Sequence, residues 1–217
     1  MHILLISSSP HKKKSQTFLL AQEILKGFSG AVKTEIIHLS DYKIEFCRHC
    51  ESCHRKILCC PIKDDAGMIL EKMLEAKGII FASPNYINQI TASMKALWDR
   101  AGHFIHCRGL LGKYVLGVVT SGSGEDQGIL DYIHSYANIC GAQYSGGLSS
   151  RRPFGNDKKE EAFNLGHKFI SDIQENRAFP EQIKFIDEFK VHFRKIIQLR
   201  KDDWVEEYQY WVNMGWL

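Results

Sequence analysis

Short unbroken apolar runs alternate along this chain with segments in which apolar residues recur at helical spacing. His2–Ser7 is apolar until it ends in hydroxyls and predicts a strand, and Ala21, Ile24, Leu25 and Phe28 then share one face of a helix over Thr17–Phe28. Ala31–Leu39 predicts a second strand. Asp64 or Asp65 stands where a cap belongs, before a helix with Ala66, Ile69, Leu70, Met73 and Leu74 on its apolar face. Gly78–Ala82 predicts a third strand, followed by one helix from about Thr91 to Phe104 that turns Met94, Leu97, Trp98 and Ala101 inward. Val115–Val119 and Gln143–Leu148 predict strands four and five, separated by a helix marked by Ile129, Leu130, Ile133, Ala137 and Cys140. Five strands alternating with helices predict an α/β fold, a mainly parallel sheet covered on both faces.

Past the fifth strand the pattern is helical only. It predicts a helix over Asp157–Asn176, then one opened by Pro180 with Ile186, Phe189, Phe193, Ile196 and Ile197, and last a tail with Trp204, Tyr208, Tyr210, Trp211 and Trp216. The expected organisation is a domain over residues 1–176 and a helical C-terminal extension over 177–217, packed on that domain or on a partner subunit. So much aromatic surface in a tail predicts core or an interface, and with it a homodimer or homotetramer.

The 217 residues are 44% hydrophobic and 24% charged, with a formal net charge of +3, and both signs are interspersed. This balance offers no basic surface for nucleic acid, and no apolar run approaches the roughly 18 residues that cross a bilayer. Cysteine changes the picture. Five of seven stand within fourteen residues, Cys47, Cys50, Cys53, Cys59 and Cys60, in a chain without a secretory pattern at its start. That usage predicts a reducing, cytoplasmic setting and a metal or redox site rather than a disulfide framework. Cys47, Cys50 and Cys53 repeat at the two-residue interval with which thiolates wrap one iron-sulfur cluster. Either Cys59 or Cys60 supplies a fourth thiolate. Zinc competes, because His49 and His54 enlarge the set of tetrahedral ligands, and a thiol-rich loop without metal is the third reading. Cys107 reads as a loop thiol and Cys140 as helix core, the remaining histidines show no ligand pairing, and Asp99 with Arg100 reads as a local ion pair at a helix end.

In an open parallel sheet the ligand edge lies beyond the carboxyl ends of the strands, at the reversal between strands one and three in a 2-1-3-4-5 order. The loop after strand one, SSSPHKKKSQT, brings Ser7, Ser8, Ser9, Ser15 and Thr17 to a helix start that favours an anion, without the glycines of a dinucleotide fingerprint or a P-loop. After strand three, Pro84, Asn85, Tyr86 and Asn88 combine a stiff bend, amides and an aromatic face suited to a flat heteroaromatic ligand. The loop TSGSGEDQG from Thr120 adds small residues that admit close backbone approach.

The order of SSSPHKKKSQT, the cysteine run ending CPIKDD, and SPNYINQITASMKALWDR resembles the flavodoxin-like NAD(P)H-dependent FMN reductases, and among them the iron-sulfur flavoproteins, over about residues 1–150. The resemblance implies a five-stranded parallel sheet of order 2-1-3-4-5. It implies an FMN site with Ser9, Pro10, Ser15, Gln16 and Thr17 at the phosphate, and Pro84, Asn85, Tyr86, Ile87 and Asn88 at the isoalloxazine. Thr120, Ser121, Gly122 and Gly124 would line the pyrimidine side. The family's Gly-Ser-Pro-Arg stands here as Ser8, Ser9, Pro10 and His11. By distance to Asp64 and Asp65, Cys60 matches the family's fourth cysteine better than Cys59. The implied activity is electron transfer from NAD(P)H through FMN, and through a 4Fe-4S cluster if one is held, to a small-molecule or protein acceptor. The alternatives are a non-enzymatic carrier exchanging electrons with ferredoxin-like partners and a zinc-binding protein that has lost FMN.

Overall fold

Strands β1 (His2–Ser7), β2 (Lys33–His38), β3 (Gly78–Pro84), β4 (Tyr114–Ser121) and β5 (Gln143–Arg151) form one parallel sheet in the order β2-β1-β3-β4-β5 in the computed structural model, which describes Met1–Leu217. The register runs Ile3↔Gly78 between β1 and β3 and Gly78↔Tyr114 between β3 and β4, so the carboxyl ends of the central strands finish together. β3 continues two residues past the predicted end, to Pro84, which lies opposite Thr120.

Alternate side chains of the central strands enter two cores. Ile3, Leu5, Ile80, Ala82, Leu116 and Val118 face α1 (Gln16–Lys26) and α7 (Asn156–Gln174). Leu4, Ile6, Ile79, Phe81, Val115 and Val119 face α3 (Ala66–Glu75), α4 (Ala92–Asp99) and α6 (Gln127–Ile139). This is the two-period pattern expected of a sheet buried on both sides. α1 and α7 meet at two glycines: a Cβ on Gly27 would lie 2.0 Å from the Phe163 carbonyl oxygen, and one on Gly166 would lie 1.9 Å from that of Ile24. Backbone, unlike a flexible side chain, does not yield there. Gly166→Ala is therefore expected to cost about 1 to 3 kcal/mol, as overpacking does, read from the urea midpoint at unchanged m-value.

The single helix expected over Thr91–Phe104 is two. α4 ends at Asp99 and α5 (Gly102–Cys107) follows. The last turn of α4 tightens, with Arg100 N–H shared between the Ala96 and Leu97 carbonyls and Ala101 N–H bonded to Trp98 O. The Arg100 side chain leaves the helix axis for distant partners described below. Cys107 is the buried last residue of α5, not a loop thiol, and Cys140 is buried at the end of α6.

Of the last two helices, α8 (Pro180–Leu199) lies against α6 and β5, where Gln182 accepts from Asn138 Nδ2 and Tyr144 N–H and donates to Tyr144 O. α9 (Val205–Asn213) lies against α5 and against α2 (Ser52–Arg55) inside the cysteine segment. Trp204 and Trp211 are buried within this chain, and Tyr208, Tyr210 and Trp216 are partly buried against them.

Candidate cofactor site and cysteine centre

The loops after β1, β3 and β4 converge on a polar cavity of about 110 Å³ at the reversal point. It is lined by Ser9 and Ser15 from the first loop, Gln16 and Thr17 from the start of α1, Pro84 at the end of β3, Tyr86 from the second loop, and Thr120 near the end of β4. Ser15 caps α1, its Oγ accepting from Phe18 N–H, and Thr17 Oγ1 lies 2.6 Å from Thr120 Oγ1, which ties the start of α1 to the end of β4. The Gln16 and Thr17 N–H groups at the start of α1 are left without an intrahelical partner beside this cavity, as at any helix N-terminus, and such groups favour an anion. His11, Lys14 and Arg152 complete the lining, and Lys14 and Arg152 supply cationic character. Arg152 follows β5 and was not anticipated. No local motif marks it, although the absence of an arginine beside Pro10 is a signal that a cation must come from elsewhere. Hydroxyls, free N–H groups and cations around one small volume fit a single phosphate, and so fit FMN.

The remaining expected flavin contacts are placed around this cavity rather than in it. Tyr86 and Gln89 exchange backbone hydrogen bonds at 2.9 and 3.2 Å, closing a tight turn with Ile87 at φ 53° and Asn88 at φ 57°. Left-handed backbone is strained for a β-branched residue, and Ile87 is 98% exposed at the tip. The Asn85 amide is spent on bracing: Nδ2 donates to Asp126 Oδ1 at 2.9 Å and to Glu125 O, and Oδ1 accepts from Asn88 N–H. Ser121 Oγ accepts from Gly124 N–H and donates to Asp126 Oδ2, which shapes the third loop around Gly122 and Gly124. Pro10 is an exposed turn residue outside the lining.

A second cavity, about 70 Å³, lies beside the C-terminal end of α4, where Asp99, Arg100 and Gly102 border it. Cys47, Cys50, Cys53 and Cys60 all line it, and Cys59 does not. His49 at φ 49° and Glu51 at φ 58° are left-handed, and these reversals between cysteines turn the first three thiols to one side. Leu58 at φ 61° precedes Cys59, and the turn leaves Cys59 exposed while Cys60 faces inward. No disulfide links any of them. Hydrogen bonds with Ser52 lower the Cys50 pKa, and His49 N–H donates to Cys47 Sγ. Burial, with Glu207 nearby, pushes the Cys53 thiol up to about 11, so a metal ion must displace its proton to bind. Four sulfurs around one small cavity fit a four-thiolate metal centre. His49 and His54 also border the cavity, but His54 is engaged elsewhere.

Two long-range clusters build the walls. Arg100, expected to pair with Asp99, instead pairs with Asp64, with Nη1 to Oδ2 at 2.5 Å and Nη2 to Oδ1 at 3.1 Å, while Asp99 pairs with Lys95. Burial opposes the Asp64 charge, but Arg100 and the N–H groups of Glu45 and Ala66 hold its pKa below the ordinary value. Asp65 accepts from Lys43 N–H and makes no side-chain cap bond, so the capping contact of α3 is the one from Ala66 N–H to Asp64 Oδ1. On the opposite side the wholly buried Glu207 carboxylate bridges two imidazoles, Oε1 at 2.6 Å from His54 Nδ1 and Oε2 at 2.9 Å from His106 Nδ1. The ligand atoms of His54, His106 and Glu207 all lie within 4.8 Å of one another, so His106 does join a group of potential metal ligands, against the expectation that histidines outside the cysteine run show no ligand pairing. Trp204 lies against both imidazoles at 4.7 to 4.8 Å between ring centroids. Glu51 accepts from Arg200 and Trp204, and Glu206 from Ile57 N–H. The C-terminal helices thus hold the cysteine segment from behind.

A doubly wound sheet with a phosphate cradle at its reversal point defines a mononucleotide-binding protein of flavodoxin-like fold. Residues 1–150 match the family described as NADPH-dependent FMN reductase, and the chain belongs to that family. It is 39% identical over 103 residues to an iron-sulfur flavoprotein of Archaeoglobus fulgidus, a match covering 46% of this chain and 49% of that protein, so the chain spans about half the length of this relative. A second Archaeoglobus fulgidus iron-sulfur flavoprotein is 25% identical over 220 residues, 98% of each chain. Among solved structures, an NAD(P)H:quinone oxidoreductase from Methanothermobacter marburgensis superposes with a TM-score of 0.59 at 16% identity, over 80% of this chain and 97% of that one, a likeness of fold. No helix is long and apolar enough to cross a membrane.

Proposed function

We propose that this protein is an FMN-dependent oxidoreductase that draws electrons from NADH or NADPH and delivers them, through an iron-sulfur centre held by Cys47, Cys50, Cys53 and Cys60, to a small-molecule or protein acceptor. The observation that carries the reading is that one chain presents both a phosphate-sized cavity lined by hydroxyls and cations at the reversal point of the sheet and a second cavity lined by Cys47, Cys50, Cys53 and Cys60. FMN, when bound, would supply the chemistry, that of exchange between a two-electron hydride donor and one-electron acceptors. The chain's part is to hold and orient. Ser9, Ser15, Thr17 and the α1 N-terminus grip the phosphate, with Lys14 and Arg152 balancing its charge. Pro84 and Tyr86 set the wall, and the strained turn over Tyr86–Gln89, braced by Asn85 on Asp126, fixes its shape. No side chain is required to move a proton. Assembly as a homodimer or homotetramer belongs to the same reading and would use exposed apolar side chains such as Ile87, Val191 and Leu199.

Replacing Ser9 and Thr17 together by alanine is expected to weaken FMN binding by about 1 to 3 kcal/mol, as for hydrogen bonds lost from a charged group. Fluorescence titration of the stripped protein reads this, and unchanged affinity removes the cradle from the site. Anaerobic steady-state oxidation of added NADH or NADPH separates the enzyme from a carrier serving ferredoxin-like partners: the enzyme turns over, and a carrier does not.

A further inference from the structure

Arg100 does more than its ion pair requires. Its side chain is almost wholly buried, and the guanidinium is fixed by Glu45 O at 3.0 Å from Nη1 and by the two-point pairing with Asp64. One Nη2 proton is used on Asp64 Oδ1. The other is free to donate to Cys60 Sγ, 3.2 Å from Nη2. A strut between α4 and the 43–66 segment would need only the backbone and carboxylate contacts. The N–H to sulfur contact is additional, and it falls on a cysteine that lines the cavity with Cys47, Cys50 and Cys53.

We propose that Arg100 is a positioning residue that sets the electron affinity of the cysteine centre by donating a fixed N–H···S hydrogen bond to Cys60. The inference rests on the iron-sulfur reading given above. Reduction adds one electron and one unit of negative charge to the thiolate-held centre, with no covalent bond made or broken. A donor aimed at a ligating sulfur stabilises the more negative state and raises the potential. Asp64 acts in the opposite sense, because its carboxylate offsets the Arg100 charge. Lysine in place of Arg100 would keep the charge but lose the planar fork that reaches carboxylate and sulfur together.

The test is a redox titration of the anaerobically reconstituted full-length protein and its Arg100→Gln, Arg100→Lys and Asp64→Asn variants, followed by the electron paramagnetic resonance of the reduced centre. At the wild-type midpoint the reduced-to-oxidised ratio is expected to fall about tenfold in Arg100→Gln, which is about 59 mV for one electron. It should fall less in Arg100→Lys and rise in Asp64→Asn. A purely structural role breaks the same ion pair in either direction, so shifts of the same sign, or ratios within twofold of wild type, overturn the proposal. Should Arg100→Gln fail to fold, the opposite signs required of Arg100→Lys and Asp64→Asn decide the matter. Wild-type protein that takes up no iron overturns the iron-sulfur reading and this inference together, whereas an iron-loaded wild type without opposite shifts overturns the role of Arg100 alone.

Discussion

A Cys60→Ala variant is expected to lose the iron centre, and a Cys59→Ala variant to keep it. The two cysteines are adjacent, and spacing alone admits either as the fourth thiolate. The left-handed residue Leu58 separates them by direction: Cys60 lines the cavity with the other three sulfurs, under the guanidinium of Arg100, and Cys59 faces solvent. A cubane needs four thiolates, so loss of one inward sulfur leaves an iron position open, while loss of an outward one removes nothing from the site. Iron and acid-labile sulfide, measured after anaerobic reconstitution, should be about four per chain in wild type and Cys59→Ala and near background in Cys60→Ala. FMN content should be equal in all three, because its cradle is built by other loops. Equal iron loss in both variants would sink the assignment. About one zinc and no iron in wild type would favour the tetrahedral alternative.

Which parts of this protein are legible from its residue order follows from the range of the interactions. β1, β3 and β4 are continuous apolar runs and their helices carry local periodicity, so the sheet and its crossovers can be read from neighbours in sequence. The cradle is legible for the same reason, since hydroxyls at a helix start act locally. The break between α4 and α5 is not, because the partners of Arg100 stand at residues 45, 60 and 64. Arg152 arrives from the end of β5, far from any loop motif. Glu207 was within reach. It sits three residues after Trp204 and four before Trp211, on the apolar face of α9. A carboxylate in that position is costly unless paired, so the pattern announces a partner, though nothing local identifies it as His54 and His106.

Glu207 is also where the largest loss of stability is expected. Glu207→Ala should destabilise the protein by about 3 to 5 kcal/mol near neutral pH, the usual cost of removing one partner from a buried charged cluster. Burial opposes the carboxylate's charge, yet hydrogen bonds from His106 and His54 hold its pKa below the ordinary 4.5. A group whose pKa is depressed on folding contributes stability that is fully present above its unfolded value and is lost as pH falls through the folded one. The gap between wild type and variant should therefore be widest above about pH 5 and narrow as pH drops below about 4. Urea unfolding at pH 7 and at about pH 3 measures both quantities. The location of the damage is equally specific. With the carboxylate gone, α9 no longer ties α2 to α5, and backbone amides over residues 47–60 should exchange with solvent faster than those of β1 and β3. A variant within about 1 kcal/mol of wild type at pH 7, or one in which exchange rises uniformly, would show that the His54, His106 and Glu207 cluster does not hold the cysteine segment in place.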